Sequence, residues 1–509
     1  MLKKRGAGVL LHISSLPSDY GVGVFDENAL HFIDRLAEMG FTYWQVLPFN
    51  PTDDAGSPYC SPSAYAGNYL FIDPKGLQEM GLVTEDEVSE NVYGGTPYTA
   101  DYAFAAKQRL SLLRKAFYRM DSDLAAKVKA FEIESGWLTD YALYMAVKTA
   151  EGGKPWWEWE SSRAHYYECI KNIYAYEEEA AFWKFVQYIF FAQWQKIKAY
   201  ANKKGIAVIG DTPIYVAMDS ADVWANLPMF KIDQKSLIAK VVAGVPPDYF
   251  SEDGQLWGNP IYDWEAMKAD GYTWWLARLS HALSTYDTVR IDHFRAFASY
   301  WEVPADSETA KTGEWVDGPK MDFFNRVFET FGKDAPIIAE DLGTFGEDVI
   351  QLLADTGFPG MRVIQFGFDA NGDSTHLPHN CTPNTINYVG THDNNTILGW
   401  LWEASEQDRR FALDYCHFNG GNWGDGGYQS ASCRCVTEAV WQSASNVAVI
   451  ALQDMCGFGA DARMNIPGVA EKNWRFRTTR ETIDSIDTAY FRRINALYRR
   501  MYPAFDKKQ

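Results

Sequence analysis

Four stretches far apart in the chain each end an apolar run on an acidic residue. They are Val208-Ile209-Gly210-Asp211, Val289-Arg290-Ile291-Asp292, Ile337-Ile338-Ala339-Glu340-Asp341 and Val389-Gly390-Thr391-His392-Asp393. Such an ending puts a charge where a buried strand meets solvent, and that charge needs partners. Several of these ends brought together make a carboxylate cluster, the equipment for acid/base and nucleophilic work on a neutral, polar substrate.

Asp292 lies between Arg290 and Arg295 and beside His293. Flanking cations favour the ionised form that a nucleophilic carboxylate requires; the bland alternative is an ion pair at a strand end. Glu340 follows Ile337-Ile338-Ala339, so desolvation raises its pKa and suits it to arrive protonated near neutral pH. Helix capping is the alternative. Alternation along a strand turns Asp341 away from Glu340. Asp393 and His392 suit the binding of sugar hydroxyls, whereas Asn394 and Asn395 also fit an Asx-turn into a helix at Thr396. His12 alone reads as structural, and Asp211 is followed by Pro213 and Tyr215 in a loop on the same side. Tyr59, in Ser57-Pro58-Tyr59, and Trp257, in Gln255-Leu256-Trp257-Gly258, are loop aromatics beside Pro or Gly, better placed to stack on a sugar than to fill a core.

These residues need a frame. Eight continuous apolar or β-branched runs read as strands covered on both faces: Ala7–Leu11, Tyr43–Leu47, Ala207–Ile209, Thr288–Ile291, Ile337–Ala339, Arg362–Phe366, Ile386–Val389 and Val447–Leu452. Helical patterns at Ala29–Met39, Phe323–Phe331 and Glu347–Asp355 fall between them. Eight strands alternating with helices is the count of a (β/α)8 TIM barrel, whose function sits at the strand C-terminal ends, where the carboxylates are. The chain 1–509 then reads as one catalytic barrel. Residues 50–206, between strands two and three, and 213–287, between strands three and four, are too long for single βα units and read as largely helical insertions above the active face. Asn419–Gly427 is a Gly-rich surface loop, and Ile483–Met501 is helical in character.

The composition narrows the partners. A net charge of −20 argues against nucleic acid, anionic membranes and polyanionic substrates, and leaves neutral ones unaffected. The 19 Trp, 29 Tyr and 30 Phe suit a sugar-binding protein, although most aromatics serve the core. Seven cysteines without a C-x-x-C pair fit a reduced, cytoplasmic protein without structural zinc. Gly8–Leu11 is too short for a signal-peptide core, and no run approaches a membrane helix.

An ordered set of segments resembles the 4-α-glucanotransferases, called amylomaltases or disproportionating enzymes, of the α-amylase clan. The carriers are Gly8–His12 with Ser15-Leu16-Pro17, Tyr43–Pro48, Ser57-Pro58-Tyr59 with Ser63–Asn68, Gly210–Val216, Pro246–Phe250 with Gln255–Pro260, Arg290–Arg295, Ala339–Gly343, Gly390–Asn394 and Ala462–Gly468. The resemblance implies a barrel without a C-terminal β-domain, acting without metal or organic cofactor on α-1,4-glucans and maltooligosaccharides. It implies Asp292 as nucleophile, Glu340 as general acid/base and Asp393 as the third carboxylate. It also implies substrate contacts at Ser57, Tyr59, Asp211, Trp257, Arg290, His392 and Asn465. Cys60 departs from the glutamine often found after the Ser-Pro-Tyr segment. The rivals are a retaining α-glucan hydrolase with the same site, a magnesium-dependent barrel (opposed by the lack of a strand-end lysine), a phosphate-sugar barrel enzyme and a non-catalytic starch-binding protein.

Overall fold

The computed structural model describes residues 4–53, 55–247, 252–343, 346–469 and 471–502. Twelve strands are present among them: β1 (Gly6–Leu10), β2 (Tyr43–Gln45), β3 (Ala207–Pro213), β4 (Val241–Val245), β5 (Gln255–Pro260), β6 (Thr288–Asp292), β7 (Ser299–Pro304), β8 (Glu314–Asp317), β9 (Ile337–Ala339), β10 (Gly360–Val363), β11 (Thr385–Tyr388) and β12 (Val447–Ala451). Eight form one parallel sheet in the order β10-β11-β12-β1-β2-β3-β6-β9. Each coincides with one of the eight apolar runs, within a few residues at the ends. The sheet curls into a barrel whose seam lies between β9 and β10, where the Ala339 N–H donates to the Pro359 carbonyl at 3.0 Å.

Side-chain alternation sorts the strand residues into two cores. Leu10, Tyr43, Ala207, Ile209, Ile338, Met361, Val363, Ile386, Tyr388, Val447 and Val449 fill the barrel. Val9, Trp44, Val208, Val289, Ile291, Ile337, Ala339, Ala448 and Ile450 face the helices outside. The helix Glu27–Met39 shows how the outer layer is specified. Asp26 caps it by accepting from the Asn28 N–H, Gly40 ends it in the left-handed region at φ 79°, and Ala29, Phe32, Ile33, Leu36 and Met39 bury one stripe.

The stretch between β2 and β3 is helical and ends in the long helix Glu177–Lys203. The stretch between β3 and β6 carries helices too, but adds β4 and β5. These join β7 and β8, which follow β6, in an antiparallel sheet of order β5-β4-β7-β8 beside the barrel. Trp257 therefore sits on a strand and not in a loop. Gly258 and Pro260 gave it a loop signature, and a register shift between Val242 and Gly244 lets β5 carry both residues and still pair. After β12 the described residues form helices, among them Arg480–Ser485 and Thr488–Leu497, and no further strand. The helical stretch breaks at Ile486, because Asp487 caps the second helix through the Tyr490 N–H.

Candidate active site

The alternation that packs the barrel also builds the site. With Val289 and Ile291 facing outward, Arg290 and Asp292 point inward. With Ile209 and Ile338 inside, Asp211 and Glu340 follow on the same face. All four meet at the C-terminal mouth. Arg290, buried, donates from one terminal nitrogen to Asp211 Oδ2 at 2.6 Å and from the other to Asp292 Oδ1 at 2.7 Å. A guanidinium thus occupies the space between two carboxylates. The same Asp211 oxygen accepts the Tyr59 hydroxyl at 2.6 Å, and that hydroxyl lies 2.9 Å from His392 Nε2. Tyr59 stacks on the His392 ring at 5.2 Å, with Trp474 beside both.

The three carboxylates at the mouth are held in three different ways. Asp292 is 28% exposed in its side chain and pairs with Arg290. The site is crowded, however, and desolvation outweighs Arg290: it raises the pKa to about 6, with Asp211 and Asp393 adding like-charge repulsion. The second expected cation, Arg295, lies with its guanidinium over the Trp315 ring at 4.1 Å. Glu340 is buried and accepts two backbone N–H groups, His293 on Oε2 at 2.7 Å and Leu342 on Oε1 at 2.6 Å. Burial nonetheless lifts it to about 7, against Arg290 and those two bonds and with Asp292 adding to the rise. Asp393 is 42% exposed and lies 3.2 Å from His392 Nε2. It also accepts the Asn465 amide at 2.6 Å. Desolvation opposes its ionisation, but His392 and Asn465 more than offset it and hold the group at about 2. Near neutral pH, Asp292 and Asp393 are therefore ionised while Glu340 is poised between forms.

Some sequence expectations change here. Asp211 is 0% exposed in its side chain and is engaged by Arg290 and Tyr59. Arg290 is likewise enclosed. Tyr59 is half-buried in that network, not a free rim aromatic. The Ser57 hydroxyl accepts the Tyr59 N–H at 3.3 Å, shaping the turn that presents the tyrosine. Asn394 accepts the Thr391 N–H on its side-chain oxygen at 2.9 Å, a bond that reaches three residues back and is not an Asx-turn, and Thr396 caps the next helix. His12 is structural, accepting the Leu47 N–H on Nδ1 at 3.2 Å. Asp341 turns away from Glu340 and accepts the Met361 N–H at 2.5 Å and Arg362 at 2.8 Å. Gly360 is required there, since a Cβ would stand 2.5 Å from that carboxylate. Trp257, 37% exposed, meets the His293 ring edge-on at 4.7 Å. In the Pro246–Phe250 segment, Asp248, Tyr249 and Phe250 lie outside the described residues.

Three contributors had no assigned role in the sequence reading. Arg463 donates to the backbone carbonyls of Asp393 and Asn465, locking the two together. Trp474 backs Tyr59 and His392, and His293 supplies an N–H to Glu340. Arg463 and His293 stood in segments singled out by pattern, whereas Trp474 did not. A pocket lined by Leu10, His12, Leu47, Asn394, Gln453 and Asp454 shares His392 with the site but none of the three mouth carboxylates.

A (β/α)8 barrel whose mouth holds a buried acid, an arginine-paired carboxylate and a third acid on a histidine defines a carbohydrate-active enzyme of the α-amylase type. Comparison sharpens this. The profile of a family described as 4-alpha-glucanotransferase matches residues 11–482. The 4-alpha-glucanotransferase of Clostridium butyricum is 41% identical over 474 residues, covering 92% of this chain and 95% of that one. That of Streptococcus pneumoniae is 42% identical over 509 residues, covering 98% of each. The amylomaltase of Streptococcus agalactiae, solved in complex with acarbose, superposes with a TM-score of 0.93 at 38% identity, covering 98% of this chain and 100% of that one. The chain belongs to the 4-alpha-glucanotransferase family. Its reaction is the transfer of an α-1,4-glucan segment from a donor to the 4-hydroxyl of an acceptor glucan or glucose, with retention, through a covalent glucosyl-enzyme.

Proposed function

We propose that Asp292 is the nucleophile of this transfer, Glu340 its general acid/base, and Asp393, held by His392 and Asn465, the group that binds the reacting sugar. The carrying observation is that the carboxylates differ: one is paired with Arg290, one is buried between two backbone N–H groups, and one is kept ionised by a histidine and an amide. Glu340 gives its proton to the glycosidic oxygen as Asp292 attacks the anomeric carbon. The first product leaves with a free 4-hydroxyl, a new non-reducing end, while the anomeric carbon stays bound to Asp292. Glu340, now a carboxylate, takes the proton of the incoming 4-hydroxyl, and that oxygen displaces Asp292 with a second inversion. Proton and electron pairs all come from these side chains and the two glucans, so the reading needs no cofactor or metal.

Maltooligosaccharides and longer α-1,4-glucans are the substrates in this reading, supported by the acarbose bound to the S. agalactiae relative. Ser57, the Tyr59 ring and Trp257 are read as sugar contacts, with Asp211 and Arg290 fixing Tyr59 and Asp292 beneath them. An acceptor held at the mouth by aromatic rings excludes water and favours transfer over hydrolysis. We read the chain 1–509 as a single catalytic unit in which stretches 50–206 and 213–287 are insertions, and we place it in the cytoplasm, in keeping with its seven free cysteines.

The test is Glu340→Gln. This variant is expected to cleave maltotriose very slowly yet to react with α-glucosyl fluoride, whose leaving group needs no acid, and to accumulate a glycosyl-enzyme visible by intact mass spectrometry. Equal loss on both substrates would remove Glu340 from the acid/base role.

A further inference from the structure

His293 follows the nucleophile and occupies the left-handed region, at φ 54° and ψ 46°. Few non-glycine residues adopt this conformation, and where they do at a functional site the surroundings must impose it. The surroundings here are explicit. Asp292 ends β6, while Phe294, Ala296 and Phe297 are buried in the short helical turn that begins at the next residue. Glu340 is tied to this turn three times: its N–H donates to the Ile291 carbonyl at 3.0 Å, its carbonyl accepts the Phe294 N–H at 3.2 Å, and its carboxylate accepts the His293 N–H at 2.7 Å. With both flanks fixed, a φ of ordinary sign at residue 293 can be reached only by swinging the 292–293 peptide plane. That swing carries the N–H away from Glu340.

We propose that His293 is a positioning residue for Glu340: its left-handed backbone aims the N–H at Oε2 and fixes the plane of the carboxyl group for proton transfer. The imidazole serves to hold the turn, wedged edge-on against Trp257 at 4.7 Å and kept neutral by burial, which pushes its pKa down to about 3. The other groups facing Glu340 are Arg290 and Asp292 on β6, Arg295 in the following turn, and the Leu342 N–H beyond β9. None of them can replace the His293 bond, because each is already engaged elsewhere or, like Leu342, binds the other oxygen. The proposal rests on the reading of Glu340 as acid/base.

The experiment is a backbone series: His293→Gly, His293→Asn, His293→Ala and His293→Val. Gly and Asn accept a positive φ; Ala and especially Val resist it. Each is assayed on maltotriose and for first-turnover fluoride release from α-glucosyl fluoride. Ala and Val are expected about tenfold or more slower on maltotriose than Gly and Asn, the scale of a left-handed penalty, while all four release fluoride from α-glucosyl fluoride at similar rates. In Ala and Val the alkaline limb of the maltotriose pH profile should also move up, since Glu340 loses an N–H that favours its anion. Thermal unfolding checks each fold; if Val does not fold, the Gly and Ala pair carries the same contrast. Equal losses across the series would assign the effect to the imidazole and overturn the proposal. So would a series indistinguishable from the parent, or a Val or Ala variant impaired equally on both substrates. A parent-like rate of Glu340→Gln on maltotriose would instead remove the acid/base reading itself, whatever the series shows.

Discussion

Asp211→Asn tests the charge network most sharply, because it removes one negative charge and almost no volume. Asp211 and Asp292 accept from the two terminal nitrogens of Arg290. Carboxylates so placed lie roughly 5 Å apart, and like charges at that distance repel by about 0.8 kcal/mol in water and about 3 kcal/mol at an effective dielectric of about 20. At about 1.4 kcal/mol per pKa unit, this is a shift of roughly 0.6 to 2 units in Asp292. The sign is fixed: Asp211 raises Asp292, so its neutralisation lowers Asp292 from about 6 and turns Arg290 wholly toward the nucleophile. Since Asp292 must be ionised to attack, the acid limb of the rate profile should move to lower pH by about one unit. First-turnover fluoride release from α-glucosyl fluoride isolates this limb, because the fluoride needs no acid from Glu340. An acid limb that stays in place, or moves to higher pH, would mean that the limb does not report Asp292 or that the two carboxylates do not feel each other across Arg290.

Asp292→Ala should lower transfer by several orders of magnitude; a purified, folded variant keeping more than about a tenth of parent activity would not have lost its nucleophile. Tyr59→Phe removes the hydroxyl shared by Asp211 and His392 and should lower the free energy of unfolding by about 1–3 kcal/mol, read from the denaturation midpoint in urea; no change would mean the hydroxyl is dispensable to the network. Trp257→Ala should weaken glucan binding by roughly 1 kcal/mol and raise the ratio of reducing ends released to glucan transferred. An unchanged ratio with a lowered melting temperature would make Trp257 a packing residue.

The barrel was legible because its strands are buried on both faces and so read as unbroken apolar runs, each finished by a polar residue. The same property made Asp292, Glu340 and Asp393 visible as charges at strand ends. The side sheet was hidden for the opposite reason. Gln255–Pro260 and Glu314–Asp317 are largely exposed, carry little apolar pattern and pair only because β4 and β7 bring them together. Nor could the sequence show that Arg290 would spend its guanidinium on Asp211 as well as Asp292, while Arg295, a few residues on in the chain, would lie on Trp315. That choice depends on alternation and on a turn whose central histidine has a backbone angle no residue pattern announces.

The pairing of β1 with β12 joins Gly6 to Val447, and this sets a clock for the newborn chain. At a synthesis rate of about 5–20 residues per second, β1 waits roughly 20 to 90 seconds on the ribosome for that partner. Asn465, which holds Asp393, emerges later still. Until then one edge of β1, apolar on both faces, has nothing to pair with, and it offers a binding site to any holdase that recognises extended apolar segments. The barrel closes around the site only after β12 has been made, and Asp393 gains its amide partner only with Asn465.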